Sequence, residues 1–312
     1  MIRYNTIQIN NLKKVFILFA SLLFISCEKE ISIELENSEP KLVVEGVIET
    51  GQYAYLTLSK STAYFGSVDS NTFQNMFITD ALVIVSDGIE YDTLVFDTVP
   101  FYPPFRFQGS KIKGKEKHSY SLKIIYNKQE YTSSTTIPTT IPIDSIKYQY
   151  RADSDSLGML RFYANDPISE INYYKVFSLD LDIDLTKEIP TWVHPARAVV
   201  NDKFFNGKLV EATIYKGWNP LKGSAYYEYH KEDWWAFKIG DRTLIKLSSI
   251  DYQSYIFWRT TEDVIYNADN PFAAPTTVQT NIYPNALGSW CGYASSIVEV
   301  TISKDMILET KK

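Results

Sequence analysis

From residue 41 to residue 137 the apolar residues come in short runs, and the clearest of them alternate with a period of two. In Ala54-Tyr55-Leu56-Thr57-Leu58-Ser59, Leu56 and Leu58 fall on one face and Tyr55, Thr57 and Ser59 on the other. That period suits a strand with one buried face and fits no helix. Residues 41–49, 54–59, 81–86, 91–96, 119–126 and 131–137 all read as strands. Gly51, Asp87-Gly88 and Asn127-Lys128-Gln129 supply turns between them. Residues 61–80 read as a long loop, and the prolines of 100–104 exclude that segment from a sheet. Short strands at this spacing predict a mainly β chain that opens with an immunoglobulin- or transthyretin-like β-sandwich over 41–138.

Pro138-Thr139-Thr140-Ile141-Pro142 is the natural boundary, since two prolines stiffen the chain and remove two backbone donors. Beyond it, residues 143–308 predict a second β-rich domain. Its strands are expected at 144–150, 158–165, 173–185, 243–247 and 297–302, with a turn at Asn206-Gly207. One segment breaks the pattern. Residues 250–267 carry Ile250, Phe257, Trp258, Val264 and Ile265 at helical spacing, with Ser249 as cap and Asp251 in the first turn. An amphipathic helix packed on the second sheet is expected there.

The N-terminal segment sets the location. Arg3, Lys13 and Lys14 precede an 11-residue apolar run at 15–25, too short for a bilayer span of about 20 residues but suited to a signal peptide. Ser26-Cys27 follows and resembles a lipobox, in which Cys27 is acylated and becomes the new N-terminus. Residues 1–26 are then the signal peptide and 27–40 a lipidated tether. Two or three acyl chains hold far more firmly than one. Glu28-Lys29-Glu30 resembles the acidic signal that sends lipoproteins to the outer face of the outer membrane. Loss of the three leader cations takes the formal charge from −6 to −9, which excludes a nucleic-acid partner that needs a basic patch. With Cys27 lipidated, Cys291 has no partner for a disulfide, so packing must hold the fold.

Candidate sites are few. Asp180, Asp182 and Asp184 alternate with Leu179, Leu181, Ile183 and Leu185, so on a strand the three carboxylates share one face at about 6–7 Å spacing. That is a weak metal candidate, for calcium, against the plainer reading of a solvated strand face. Tyr226, Tyr227, Tyr229, Trp234 and Trp235 form the most aromatic stretch and suit contact with a ligand or partner. The plainer reading buries those rings. His118, His194 and His230 have no zinc-ligand spacing. Gly288-Ser289-Trp290-Cys291-Gly292 is not a nucleophile elbow, and Cys291 reads as a small buried hydrophobe. The sequence has no phosphate loop or nucleophile–base motif, so a non-enzymatic chain without cofactor is expected.

Several motifs together resemble the DUF4249 family of Bacteroidota lipoproteins. They are Cys27-Glu28, Glu39-Pro40-Lys41-Leu42-Val43-Val44-Glu45-Gly46, Leu58-Ser59-Lys60-Ser61 and Asn201-Asp202-Lys203-Phe204-Phe205-Asn206-Gly207. Gly240-Asp241, Asn270-Pro271-Phe272-Ala273-Ala274-Pro275, Thr280-Asn281-Ile282 and Ala286-Leu287-Gly288 complete the set. The chain departs at Pro284-Asn285-Ala286, where the family carries more glycine. The resemblance implies a surface lipoprotein of the outer membrane that assists a TonB-dependent transporter as accessory or ligand-capture subunit. The alternative is an adhesive or structural surface module with no transporter partner.

Overall fold

Strand β1 (Leu42–Glu49) turns Leu42, Val44 and Ile48 into the core, as its alternation requires, and β2 (Tyr53–Lys60) pairs with it antiparallel across Gly51. These strands belong to a computed structural model that describes residues 39–61, 76–100, 102–168, 171–186, 188–195, 197–217, 219, 222, 233, 235–268, 270, 272–274 and 276–308. Cys27, with the leader and most of the tether, lies outside the described residues. The unit Pro40–Lys312 holds the fold described below.

Five strands extend the first sheet: β3 (Leu82–Ser86), β4 (Tyr91–Thr98), β5 (Phe105–Lys113), β6 (His118–Tyr126) and β7 (Gln129–Ile137). The order from β1 is β1-β2-β5-β4-β3-β6-β7. Asp87-Gly88 closes the expected β3–β4 hairpin, with the Asp87 carboxylate accepting from the Ile89 and Glu90 amides. Strand β5 carries no clear alternation because it is bulged against β2. Buried Asp92 compensates, since one carboxylate oxygen accepts the amides of Ser110, Lys111 and Ile112 at 2.8–3.1 Å.

A smaller sheet gathers β8 (Ser145–Tyr150), β12 (Leu209–Ile214) and β13 (Phe237–Lys238) around β9 (Leu157–Asn165). Strands β10 (Tyr173–Asp180), β11 (Val199–Asn201), β14 (Arg242–Ile250) and β15 (Leu287–Thr301) rejoin the large sheet in the order β11-β10-β14-β15-β1. The Asn206-Gly207 turn therefore leads from one sheet to the other instead of closing a hairpin.

The spine is β15. It pairs in parallel with β1 from Val43↔Leu287 to Glu49↔Tyr293, and antiparallel with β14 from Ile250↔Tyr293 to Arg242↔Thr301. Its central residues, 289–294, are all buried. A strand covered on both faces loses alternation, which is why only its last residues read as strand in the sequence. Segment 138–142 carries the chain from β7 toward the small sheet, yet strands from both sides of it share the β1–β15 ladder. Two of the fold's cores are separate, and the first draws Trp290 from beyond the segment. One centres on Val44, Leu56, Tyr120, Leu122 and Trp290, the other on Tyr148, Leu160, Phe162, Phe237 and Ile245. The first core is closed where β7 meets the approach to β15, through paired bonds between Thr132 and Tyr283. Asn285, in the turn where the family carries more glycine, takes a φ of 46°, the left-handed region glycine would fill.

Helix α1 (Tyr252–Asn267) forms where expected and packs on β10, β11 and β15. Its cap is Asp251, not Ser249. Ser249 still belongs to the β14 ladder, while the Asp251 carboxylate accepts from the Ser254 amide at 2.8 Å. The second Asp251 oxygen accepts from the Thr135 hydroxyl and the Thr136 amide, so the same residue ties the helix to β7.

Candidate functional site

A cavity of about 160 Å3 opens beside the C-terminal end of β10. Ser178 and Asp180 of β10, Arg242 and Thr243 of β14, and Phe237 and Lys238 of β13 form its rigid walls. Thr191 and Val193 close one side, where Val193 exchanges two backbone bonds with Ser178. Lys216, Gly217, Asn219, Lys222 and Asp233 line the other. The Thr243 hydroxyl donates to the Leu179 carbonyl at 2.9 Å and fixes the floor.

Among the described residues, four cations line the cavity, Lys216, Lys222, Lys238 and Arg242, against two carboxylates, Asp180 and Asp233, and each cation has an ion-pair partner. Lys216 pairs with Asp241 at 2.7 Å, Lys238 with Asp233 at 2.8 Å, Arg242 with Glu299 at 3.0 Å and Lys222 with Glu188 at 3.4 Å. Only Asp233 of these carboxylates itself lines the cavity, so the space is bordered mainly by cations that are neutralised from behind. Such a space suits a compact ligand with charge of either sign, held by donors and acceptors on strands.

Of the aromatic stretch, Tyr226, Tyr227, Tyr229 and Trp234 lie outside the described residues, as does His230. Trp235 is described and half-buried. Its ring meets Tyr215 edge-on at 5.3 Å, the Arg151 guanidinium lies 4.7 Å from its centroid, and its carbonyl accepts from the Lys216 amide. It braces the Lys216 wall of the cavity.

The three aspartates do not share a strand face. Strand β10 ends at Asp180, and residues 181–183 bend. Asp180 accepts from the Asp182 amide, Asp182 from the Arg242 amide, and Asp184 from the Thr186 amide and hydroxyl. Asp180 and Asp184 each serve a local turn, as short acidic side chains do where a strand stops, while Asp182 reaches across to the start of β14. Of the three, only Asp180 lines the cavity.

A second group of polar residues escaped the sequence reading. On β14, Lys246 lies 3.4 Å from Glu49 and among the rings of Trp192, Phe177 and Tyr293. Lys175 is fully buried, with Nζ 2.8 Å from the centroid of Trp258 and no hydrogen-bond partner among the described residues. Burial holds both amines below the ordinary lysine value, Lys175 well below it. Glu262 accepts the Ala198 and Val199 amides, and burial raises its carboxyl. His194 stands edge-on to Trp258 at 5.6 Å; burial first, then Lys175, lowers it to about 4. Cys291 is buried here, where its thiol is raised by burial and meets the Ser289 hydroxyl at 3.2 Å. The only signal in the sequence was a lysine inside each of two apolar strand runs, Tyr-Tyr-Lys-Val-Phe and Leu-Ile-Lys-Leu.

A family model described as "Domain of unknown function (DUF4249)" matches residues 28–296. No curated protein matches the chain.

Proposed function

This chain belongs to the DUF4249 family, and from that premise we propose that it is a lipid-anchored protein of the outer cell surface that captures a small polar ligand for a TonB-dependent transporter, without catalysing a reaction. Anchoring rests on the order of basic leader, short apolar run and Ser26-Cys27, and outward display on Glu28-Lys29-Glu30. The observation that carries ligand capture is the charged cavity. Its walls are strands β10, β13 and β14, and its cations are already paired with carboxylates. A ligand entering it exchanges partners with existing ion pairs, which favours selective and reversible holding over tight retention.

The test is an affinity pull-down of the tagged, lipidated protein from detergent-solubilised outer membrane, with mass spectrometry of what accompanies it. A TonB-dependent receptor in near-equal amount is the expected result. Recovery of the lipoprotein alone overturns the transporter partnership and leaves a free-standing surface module.

A further inference from the structure

We propose that the fold carries a second membrane contact besides its anchor: the tip formed by Ile168, Ile171 and Phe204, flanked by Lys203 and Lys208, docks on an anionic lipid surface. The inference rests on the lipid-anchored reading above, and its test separates the two. Ile168 is 81% exposed, Ile171 54% and Phe204 87%. Large apolar side chains presented this openly at one place mark a contact surface. Lys203 and Lys208 are exposed on the same turn as Phe204. Apolar residues bordered by lysines match the layering of an acyl region beneath anionic headgroups. Glu170, between the two isoleucines, lies outside the described residues.

The tip is built, not incidental. Its described residues are 166–168 and 171–172, between β9 and β10, and 202–208, between β11 and β12. Buried Asp166 joins them, accepting from the Tyr174 hydroxyl and from the Gly207 amide at 2.8 Å. Buried Asp202 joins them again, accepting from the Asn172 amide at 2.8 Å and its side-chain nitrogen at 3.1 Å. Gly207 has a φ of 72°, and a Cβ there would lie 2.7 Å from the Ile168 side chain. Two buried carboxylates and a required glycine hold an apolar tip in water, which an idle loop does not need.

Tether length puts the bilayer within reach of the tip. Strands β1 and β10 both run parallel to β15, so the chain enters β1 and β10 from the same side. Tyr173 is in register with Ile250, and Ile250 and Glu49 both with Tyr293, which sets the tip back from Leu42 by seven residues, about 23 Å along the ladder. The twelve residues 28–39 reach about 40 Å when extended. The anchor is therefore long enough for the body to lean until the tip meets the bilayer.

The experiment labels Phe204→Cys with a polarity-sensitive fluorophore in the lipidated protein. Cys291 is buried and Cys27 is acylated, so neither competes for label. Ile89→Cys is the control, because Ile89 is exposed at the β3–β4 turn, which faces the opposite way. The protein is placed in vesicles of three parts phosphatidylcholine to one part phosphatidylglycerol that carry nitroxide-labelled lipid. Quenching at 204 well above that at 89 is expected. Equal quenching, or protection of 204 only after receptor is added, overturns the proposal. A Cys27→Ala chain is floated with the same vesicles, and replacing Ile168, Ile171 and Phe204 by serine is expected to weaken its binding about tenfold or more. No difference between the two chains also overturns the proposal. Lack of acylation at Cys27 by mass spectrometry sinks the anchor alone, since the flotation comparison does not depend on it.

Discussion

One face of β15 carries Trp290 and Ala294, the other Cys291 and Tyr293, and the two faces are packed by opposite means. Under Trp290 the neighbours are Val44, Leu56, Leu58 and Leu122, and the indole N–H donates to the Tyr120 carbonyl at 3.1 Å. Gly46 of β1 gives the ring its place, since a Cβ there would lie 2.7 Å from it. Across the strand, Trp258 donates to the Tyr293 hydroxyl at 2.9 Å in a layer that also buries Lys175, Lys246 and Glu262. Apolar packing and one neutral hydrogen bond from the indole satisfy Trp290 on the first side. The second depends on pairing of charges, and Glu49, Glu262 and Lys175 each keep a buried atom with no hydrogen-bond partner among the described residues. The comparison teaches that one strand can join a core tolerant of pH to a layer that is not.

The largest effect is expected on the apolar side. Trp290→Ala removes a fully buried indole and leaves a cavity, and should cost about 3–5 kcal/mol in urea unfolding. A cost below about 1 kcal/mol would mean that the β1–β15 junction collapses freely around the gap. On the charged side, Lys246→Met should cost about 3 kcal/mol, because Glu49 then keeps a buried charge without its partner. Adding Glu49→Gln should recover most of that loss. A double-mutant cycle with no coupling would remove the ion pair from the account.

Next in size is a pH effect confined to the charged layer. His194 titrates at about 4 in the fold against an ordinary 6.5, so the unfolded chain binds its proton first on acidification. The stability held above pH 6.5 is therefore lost as pH falls from 6.5 through 4, and then levels off. Discounted for the ring's residual exposure, the loss is about 2 kcal/mol. His194→Phe should flatten that part of the stability profile, while Trp290→Ala should leave its shape unchanged. An unchanged profile in His194→Phe would assign the acid sensitivity to other groups.

The same contrast decides what could be read from the chain. Strands β1, β2, β3 and β4 were visible as short apolar runs, cleanly alternating in β2, where one face meets an apolar core. Alternation failed at β5, where the Asp92-supported bulge breaks the period, and along β15, buried on both faces. Helix α1 was legible from its spacing, but its cap fell at Asp251 because Ser249 was still committed to β14. The Asp180, Asp182 and Asp184 pattern mimicked a strand face, although Asp180 and Asp184 cap local turns and Asp182 accepts from the distant Arg242 amide. The cavity was hidden, because its walls come from three strands and two loops distant in sequence. Lys175 and Lys246 looked like ordinary strand lysines, as nothing local reveals that Trp258 of the helix covers the first and Trp192 the second.

The smallest expected effect has the opposite sign. Lys175 is fully buried, and its amine is held well below the ordinary value by desolvation, with Glu262 opposing that and Lys246 adding to it. A methionine has similar length and no polar atom to desolvate. Lys175→Met should therefore stabilise the protein at pH 7, by about 1 kcal/mol, while Glu262 keeps its two backbone donors. The sign follows from linkage. A base whose folded pKa is depressed binds its proton first in the unfolded chain, so wild-type stability rises with pH up to about 10.5, the ordinary lysine value, and the rise disappears in the variant. The advantage of Lys175→Met should thus be larger at pH 7 than at pH 10. Destabilisation at pH 7 would instead mean that Nζ remains charged over the Trp258 ring and that cation–π attraction outweighs desolvation. In that case the charged side of β15, like the apolar side, is held by a tryptophan in attractive contact with what lies beneath it.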